Sequence, residues 1–402
     1  MRTLLAVLLL LPQEDAAIRD LIRNLDSDSL DVRSSAEAAL AKMGKAAVPL
    51  LEDALKGASA EARGRIERIL RTIADREKRA SAVPAGTRVT LRAVDRPVLE
   101  VLEELQRRSG TPLELGKVPS DLKVTVSLEN VCFWDALDEV CRATGQMVFQ
   151  PKDLAVALAK KRYAARPRFV SGPFAVLLQE INSTISGTFG RAGDRRTKIQ
   201  FVLCWEKGGR PDRIGARPIE IRDDRGTDLL DPKIPGLQPY FASVEEDRLS
   251  QGQHLYLGNV PAEEATKLAR LKFELSCEFT LKYAEVMIEK PEGKSRTDLS
   301  CDKFSLTFQS CKRLGDVVRA DFLFATTEGK PWLQPVRGRA KDKEGKEYAG
   351  GVQTNVPVGN ASLIYMDFKV PGSTELAELR ISVPAEVHTE RIVVDLKDVP
   401  LR

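Results

Sequence analysis

The chain has 402 residues, of which 43% are hydrophobic and 30% are charged. This composition excludes an intrinsically disordered chain, and the length predicts about two to four domains. The 62 lysines and arginines barely outnumber the 58 acidic residues. Because a protein that binds nucleic acid needs a clear basic excess or a concentrated basic face, we predict no nucleic-acid partner.

Residues 1–13 have the pattern of a secretory signal peptide. Arg2 precedes an apolar run from Leu4 to Leu11, and polar residues follow Pro12. The run is shorter than the ~20 apolar residues that a membrane-spanning helix needs. The alternative is an apolar first helix of the next domain. We expect an exported protein, periplasmic or extracellular, with no integral membrane segment after signal removal.

Residues 14–80 predict two similar helical hairpins. The segments 16–44 and 46–74 align without a gap, and a polar turn interrupts the helical periodicity of each, near Asp26–Ser29 and near Gly57–Ser59. A single hairpin cannot bury its apolar stripe, so repeated hairpins stack on one another. We expect the second helix of each hairpin to turn one face inward, namely Ala36, Ala39, Leu40 and Met43, or Ile66, Ile69, Leu70 and Ile73.

The run "DVRSSAEAALAKMGKAAVPLL", residues 31–51, resembles the helix-turn-helix signature of HEAT repeats. The second copy departs from that signature, with Glu61-Ala62-Arg63 at its start and Ala74 in place of the glycine. The resemblance implies a helical pair that contacts other proteins and does not catalyse a reaction.

The last predicted helix of this region carries a basic stripe, at Arg65, Arg68 and Arg71. Glu61 and Glu67 lie four residues before Arg65 and Arg71, a spacing that favours a solvated, ion-paired face. The alternative is a surface for a protein partner, and the three arginines are therefore our candidate partner-binding residues.

Residues 87–150 predict a compact domain with the element order βαββαβ. The runs "VTLRAVDRPVLEVLEELQRRSG" and "VTVSLENVCFWDALDEVCRATG" each read as a strand followed by a helix that a glycine ends. They resemble the short N-terminal (STN) domain of bacterial secretins and TonB-dependent receptors. The resemblance implies an envelope location and docking to other envelope proteins. Aromatic residues are only 6% of the chain, so a barrel or pore function is not expected.

The C-terminal half predicts antiparallel β-sandwich modules at 167–240 and 250–402, because short strand-like runs alternate with Gly and Pro turns. One short helix is predicted at 261–271.

We also predict that one β module occurs twice. "FAVLLQEI" (174–181) matches "FSLTFQSC" (304–311) at an offset of 130 residues, and "LCWEKGGRP" (203–211) matches "LFATTEGKP" (323–331) at 120. "DDRG" then meets "DKEG" at an offset of 119.

Residues that could carry chemistry are scarce. The six cysteines include no CxxC pair, and Cys277 lies in an alternating run that predicts a buried hydrophobe. The two histidines, His254 and His388, have no nucleophile motif beside them, and HExxH, GxGxxG and P-loop patterns are absent. We therefore predict no catalytic residue, no metal and no cofactor. "DDRGTDLLD" could suggest calcium, but it lacks EF-hand spacing and is typical of a turn, through Asp223, Asp224, Asp228 and Asp231.

The sequence thus predicts a multidomain α plus α/β plus β protein, built from HEAT-like hairpins, an STN-like domain and β-sandwich modules. We expect a non-enzymatic envelope protein that mediates protein–protein interaction or scaffolding. The alternative is a surface protein that binds polysaccharide, for which Trp205 and Trp332 are the only candidate stacking residues, although Trp205 lies in an inward register. A hydrolase with dispersed carboxylates is a third, less favoured hypothesis.

Overall fold

The computed structural model divides into two compact units, Met1–Ser81 and Ala82–Arg402. The first is helical and the second is mostly strand, so the chain mixes α and β structure as predicted. Within the described part of the chain, no helix is long and apolar enough to cross a membrane. The described residues are 11–152, 154–186, 194–230, 242–244, 248–294, 296–301, 304–326 and 336–401.

From residue 11 onwards, where the structure describes it, the first unit contains four α-helices. They are α1 (Leu11–Asn24), α2 (Leu30–Met43), α3 (Val48–Ala54) and α4 (Ala60–Ala82), with a 3-10 turn at Gly44–Ala47. Their shared core is fully apolar and lies on the faces that helical periodicity predicts, at Ile18, Leu25, Ala36, Leu40, Ala47, Leu51, Ile66, Ile69 and Ile73.

Met43 departs from the predicted inward face, because 37% of its surface is exposed. It is the last residue of α2, and Gly44 turns the chain there with φ +66. A Cβ at Gly44 would also lie 2.0 Å from the Arg76 guanidinium, so the end of the Arg76 side chain would have to move. Arg76 in turn donates to the carbonyl of Ala41 at 3.0 Å and so caps the C-terminal end of α2.

The second unit begins with a small α/β domain whose order follows the predicted βαββαβ and adds one strand. Its strands form two small sheets, β1 paired with β3 and the order β2-β5-β4. The elements are β1 (Arg88–Pro97), α5 (Val98–Ser109), β2 (Leu113–Glu114), β3 (Lys123–Cys132), α6 (Phe133–Thr144), β4 (Met147–Pro151) and β5 (Val156–Lys160).

The two halves of this small domain repeat each other, which we did not predict. β1 and β3 have the same alternation of buried and exposed residues. Asp95 and Asn130, at matching positions, have positive φ values of 51° and 50°. The Asp95 N–H donates to Thr125 Oγ1 at 3.0 Å, and the Asn130 N–H donates to Thr90 Oγ1 at 3.0 Å. These reciprocal bonds show a local two-fold relation between the halves.

The rest of the unit is β structure. Contrary to the predicted helix at 261–271, β12 begins at Lys267 and pairs with strands on both sides, which satisfies its backbone groups. The strands are β6 (Arg168–Ser171), β7 (Phe174–Ser186), β8 (Asp194–Trp205), β9 (Arg213–Asp223), β10 (Ala242–Ser243), β11 (Ser250–Leu257), β12 (Lys267–Glu289), β13 (Thr297–Cys301), β14 (Phe304–Leu314), β15 (Val317–Thr326), β16 (Arg337–Asp342), β17 (Glu347–Val358), β18 (Ala361–Lys369) and β19 (Leu376–Pro400).

These strands form a four-stranded sheet and a ten-stranded antiparallel sheet. The strand orders are β11-β8-β7-β6 and β10-β9-β12-β19-β16-β17-β18-β15-β14-β13. The long strands β12 and β19 pair with each other from end to end. The first half of β12 and the second half of β19 contribute Phe273 and Val394 to one core. Their other halves contribute Ile288 and Ile381 to another.

We call the two bodies around these cores the first and the second sandwich. The first contains β6–β9 and β11, and the second contains β13–β18. The predicted modules at 167–240 and 250–402 therefore share β12 and β19, each of which spans both cores.

Most strand pairs of the two sandwiches correspond, as the predicted duplication requires, except that β17 joins β16 to β18 while its counterpart β10 pairs with β9 alone among the described residues. The order β6-β7-β8-β11 corresponds to β13-β14-β15-β18, and β9 beside β12 corresponds to β16 beside β19. A β-bulge lies between Leu178 and Glu180 in β7, and another lies between Phe308 and Ser310 in β14. Both bulges fall at the predicted offset of 130 residues.

The second predicted match is shifted by one residue. Leu203 pairs with Val176, and the equivalent partner of Leu306 is Phe324 rather than the Leu323 that an offset of 120 predicts. The reason is the two-residue period of a strand, because a slip of one residue exchanges the buried and exposed faces. Gly329 and Pro331, from the same predicted match, lie outside the described residues.

The small domain packs on the outward face of the four-stranded sheet. Ala175, Leu177, Val202 and Cys204 point away from the first sandwich core and belong to the core of the small domain. Trp134 Nε1 donates to the carbonyl oxygen of Pro173 at 2.9 Å. Because this part of the sheet is buried on both faces, β7 and β8 carry continuous apolar runs where one-sided burial would give alternation.

Candidate functional site

The arginine stripe lies on α4, and two of its three members are engaged within the helical unit. Arg65 forms ion pairs with Glu37 of α2 and with Glu61, each at 3.2 Å. Arg68 reaches the same Glu37 at 3.1 Å. The predicted i,i+4 pair at Glu61 is therefore present, and Glu37 adds a tie between the hairpins that the sequence spacing does not reveal.

Arg71, the third member of the stripe, is exposed and makes no ion pair within the described ranges. The three arginines are thus brought to one helix, but only Arg71 keeps its charge uncommitted. This arrangement favours the ion-paired interpretation for Arg65 and Arg68.

A groove in the helical unit lies between α1 and α3. Its floor is apolar and its rim carries charges of both signs, from Ala16, Arg19, Asp20, Ile22, Arg23, Leu50, Asp53 and Ala54. Two of the rim carboxylates are paired locally, Asp20 with Arg23 and Asp53 with Lys56. The hydrogen bond and charge of Lys56 lower the pKa of Asp53.

The second helix also presents apolar side chains to solvent. Leu30, Val32 and Met43 of α2 are exposed by 61%, 40% and 37%. They flank the buried stripe at Ala36 and Leu40. Hydrophobic residues adjoining a buried stripe form the surface that a further stacked hairpin would cover in a repeat protein.

A polar cluster is buried where the small domain meets the first sandwich. Asp138 accepts hydrogen bonds from Tyr163 Oη at 2.9 Å and pairs with Arg168 at 2.7 Å. Burial, followed by the bond to Asp138, raises the pKa of Tyr163 to about 12. Burial, followed by the charge of Asp138, raises the pKa of Cys141 to about 12. Neither of these two groups is ionised near neutral pH, and the bonds of Asp138 tie α6 to β6.

Burial also raises the thiol pKa of other buried cysteines. Burial is the main cause that raises the pKa of Cys277 to about 12 and that of Cys311 to about 12. Cys277 is fully buried, as its alternating run predicts. Thiols of this kind act as small hydrophobic residues.

Glu206 is the one described carboxyl group whose pKa is clearly raised, and burial is the cause. Its two oxygens accept the Thr87 N–H at 3.0 and 2.9 Å, at the contact between the small domain and the first sandwich. Because the side chain is almost completely buried, it serves this contact and does not face an open cleft.

The aspartate-rich run forms a turn, as expected. Asp223 Oδ1 accepts the N–H groups of Arg225 and Thr227, and its Oδ2 accepts that of Ala262 at 2.8 Å. These bonds occupy both carboxylate oxygens, which leaves little for a cation. No group of metal-binding side chains occurs among the described residues, and Asp231 lies outside them.

The tryptophan proposed for sugar stacking is not at the surface. Trp205 is fully buried in the first sandwich core, and its Nε1 donates to the Arg248 carbonyl at 2.8 Å. The inward register of β8 places it there. Trp332 lies outside the described residues.

An aromatic residue that we did not predict as functional is exposed instead. Tyr256 of β11 has 53% of its surface exposed, with His254 at a ring separation of 5.3 Å. The available signal was the outward register of "QGQHLYL", in which Tyr256 alternates with the buried Leu255 and Leu257.

Comparisons with known proteins do not place the chain in a family. No family model matches it, and no curated protein matches it. A solved structure, "the crystal structure of the conserved domain protein from Bacillus anthracis", aligns with 59% of this chain and 90% of that chain, at 11% identity and a TM-score of 0.19.

Proposed function

We propose that this protein is a non-enzymatic, exported envelope scaffold that binds another protein through its helical unit. The exposed apolar side chains of α2 are the observation that carries the proposal. A stack of two hairpins is short for a repeat architecture, which needs about three or more to bury its stripes. A partner that covers Leu30, Val32 and Met43 would complete the stack.

Two sequence features support the envelope setting of this proposal. The apolar run before α1 has the pattern of a signal peptide, and the small domain has the strand and helix order of the STN resemblance. On this proposal the helical unit is HEAT-like, and the partner is another envelope protein. Arg71, exposed on α4, would supply a charge at the edge of the contact.

Affinity capture with the full chain, after fractionation of the native cells, tests the proposal. We expect the protein in the envelope fraction together with a defined partner, identified by mass spectrometry. Met43→Glu should abolish partner recovery, because a buried unpaired charge at a contact is costly. The matched control is Val393→Glu, which places the same charge at an apolar residue of β19 that is 44% exposed.

The control variant should recover the partner as well as the wild type does. Equal recovery with Met43→Glu would contradict the assignment of the contact to α2. Recovery of glycan without protein would contradict the scaffold function itself.

A further inference from the structure

The outward face of the four-stranded sheet changes character along its strands. At one end Ala175, Leu177, Val202 and Cys204 lie under the small domain. Beyond the bulge in β7, the outward positions of three neighbouring strands are polar and are not buried, and they form two cross-strand rows, Glu180–Gln200–His254 and Asn182–Lys198–Tyr256. We call these six residues the platform.

The groups of the platform are closely spaced. Directly opposed residues of an antiparallel pair lie about 5 Å apart, and side chains two positions along a strand share one face. Tyr256 presents an exposed ring, and Lys198 Nζ lies 5.9 Å from the ring centroid. Gln200 and Asn182 add amide donors and acceptors around it.

The platform carries one cation, Lys198, and one carboxylate, Glu180, which lie in different cross-strand rows. Lys198 makes no ion pair in the part of the chain that the structure describes, and it lies beside Tyr256. Partial burial, followed by the charge of Lys198, lowers the pKa of His254. The imidazole is therefore neutral at pH 7 and can both donate and accept a hydrogen bond.

The equivalent face of the second sandwich also places a cation over a tyrosine ring, with Arg319 at 5.9 Å from the Tyr365 ring centroid, but there the cation is paired. The positions of Lys198 and Tyr256 correspond to Arg319 and Asp367, which are also directly paired across the strands. Arg319 binds Asp367 through two bonds of 2.7 and 2.8 Å. The second sandwich thus pairs its cation with a carboxylate beside a partly buried ring, whereas the first has no ion pair to Lys198 among the described residues and presents an exposed ring beside it.

We infer that the platform binds a polysaccharide chain that carries carboxylate groups. The apolar C–H face of a sugar ring stacks on the Tyr256 ring, and Lys198 pairs with the carboxylate of the sugar. The amides of Gln200 and Asn182 and the imidazole of His254 exchange hydrogen bonds with hydroxyl groups. A rigid sheet holds these groups in place before binding, which reduces the ordering cost of association. The inference does not depend on the helical unit or its partner.

Affinity electrophoresis of the full chain in gels that contain polygalacturonate tests the inference, with dextran as the neutral polysaccharide and polyglutamate as an acidic polypeptide. We expect retardation by polygalacturonate that weakens as salt is added, because the Lys198 contact is exposed. Dextran and polyglutamate should retard the protein much less.

The variants separate ring stacking from charge. Tyr256→Ala should weaken polygalacturonate binding by about tenfold or more, as truncation of a central aromatic contact does, whereas Tyr256→Phe should change it by less than about twofold. Lys198→Gln should weaken it and remove most of its salt dependence. Val393→Ala, on the other sheet, should bind as the wild type does.

Three results would overturn the inference. They are an absence of retardation by polygalacturonate, equal retardation by dextran or polyglutamate, and unchanged binding after Tyr256→Ala. Because the platform side chains are outside the hydrophobic cores, these variants should keep the wild-type circular dichroism spectrum.

Discussion

The two sandwiches have corresponding strand orders, β6-β7-β8-β11 and β13-β14-β15-β18, but differ on their outward faces. Equivalent inward positions carry the same type of residue. For example, Phe201 and Phe322 occupy the same register and are both fully buried. Outward positions do not agree, because Leu177 is buried under the small domain and its counterpart Thr307 is partly exposed. The inward pattern therefore specifies the fold, and the outward pattern specifies what each sandwich contacts.

The largest expected difference in unfolding free energy is between variants on the outward faces of the two sandwiches, since the small domain covers part of the first. Leu177→Ala removes a buried side chain from the core of the small domain, and we expect a loss of about 2–4 kcal/mol in the free energy of unfolding. Thr307→Ala at the equivalent position should cost less than about 1 kcal/mol, because its hydroxyl only reaches an exposed carboxylate, that of Asp298. Urea unfolding followed by tryptophan fluorescence measures both.

Equal costs for the two variants would show that the outward face of the first sandwich is not covered as described. Leu177→Val serves as the control, since it keeps most of the apolar volume and should cost less than Leu177→Ala.

A smaller difference in unfolding free energy is expected between variants at the turns that follow β9 and β16. Asp223 and Asp342 end β9 and β16, and each accepts backbone N–H groups of the turn that follows. Burial alone would raise the pKa of Asp223, but the N–H donors of Ala262, Thr227 and Arg225 together lower it. Asp223→Ala should therefore cost about 1–3 kcal/mol at pH 7, because it leaves those donors without a partner.

The pH dependence follows from the direction of the shift. A carboxylate with a lowered folded pKa stabilises the protein above its ordinary pKa, and this contribution is lost as the pH falls through the folded pKa. The stability difference between wild type and Asp223→Ala should thus shrink below about pH 4. Asp342→Ala should behave in the same way with a smaller loss, because its oxygens accept fewer backbone N–H groups. A difference that is independent of pH would contradict this account.

The sequence predicts these features to different depths. The repeats and the periodic pattern of inward-facing residues could be predicted from the sequence, because burial imposes a period on every strand and helix. The predicted offset of 120 residues between Leu203 and its equivalent was wrong by one residue. The sequence could not show this, because β8 is buried on both faces and carries similar apolar residues on each. The sharing of β12 and β19 by the two cores could not be predicted, because it depends on which strands pair and not on the pattern of residues within each strand. The same holds for the platform, which joins residues from three strands.

The smallest expected effect comes from giving the first sandwich the ion pair of the second. Lys198→Arg with Tyr256→Asp recreates the directly opposed pair of Arg319 and Asp367. A double-mutant cycle in urea should give a favourable coupling of about 0.2–1 kcal/mol, the range of exposed ion pairs, and salt should reduce it. The double variant should also lose retention by polygalacturonate, because its cation is neutralised and its ring is gone. Zero coupling would mean that the two outward faces differ in backbone geometry as well as in side chains. Retained binding would mean that the ring and the free cation are not what distinguishes the first sandwich from the second.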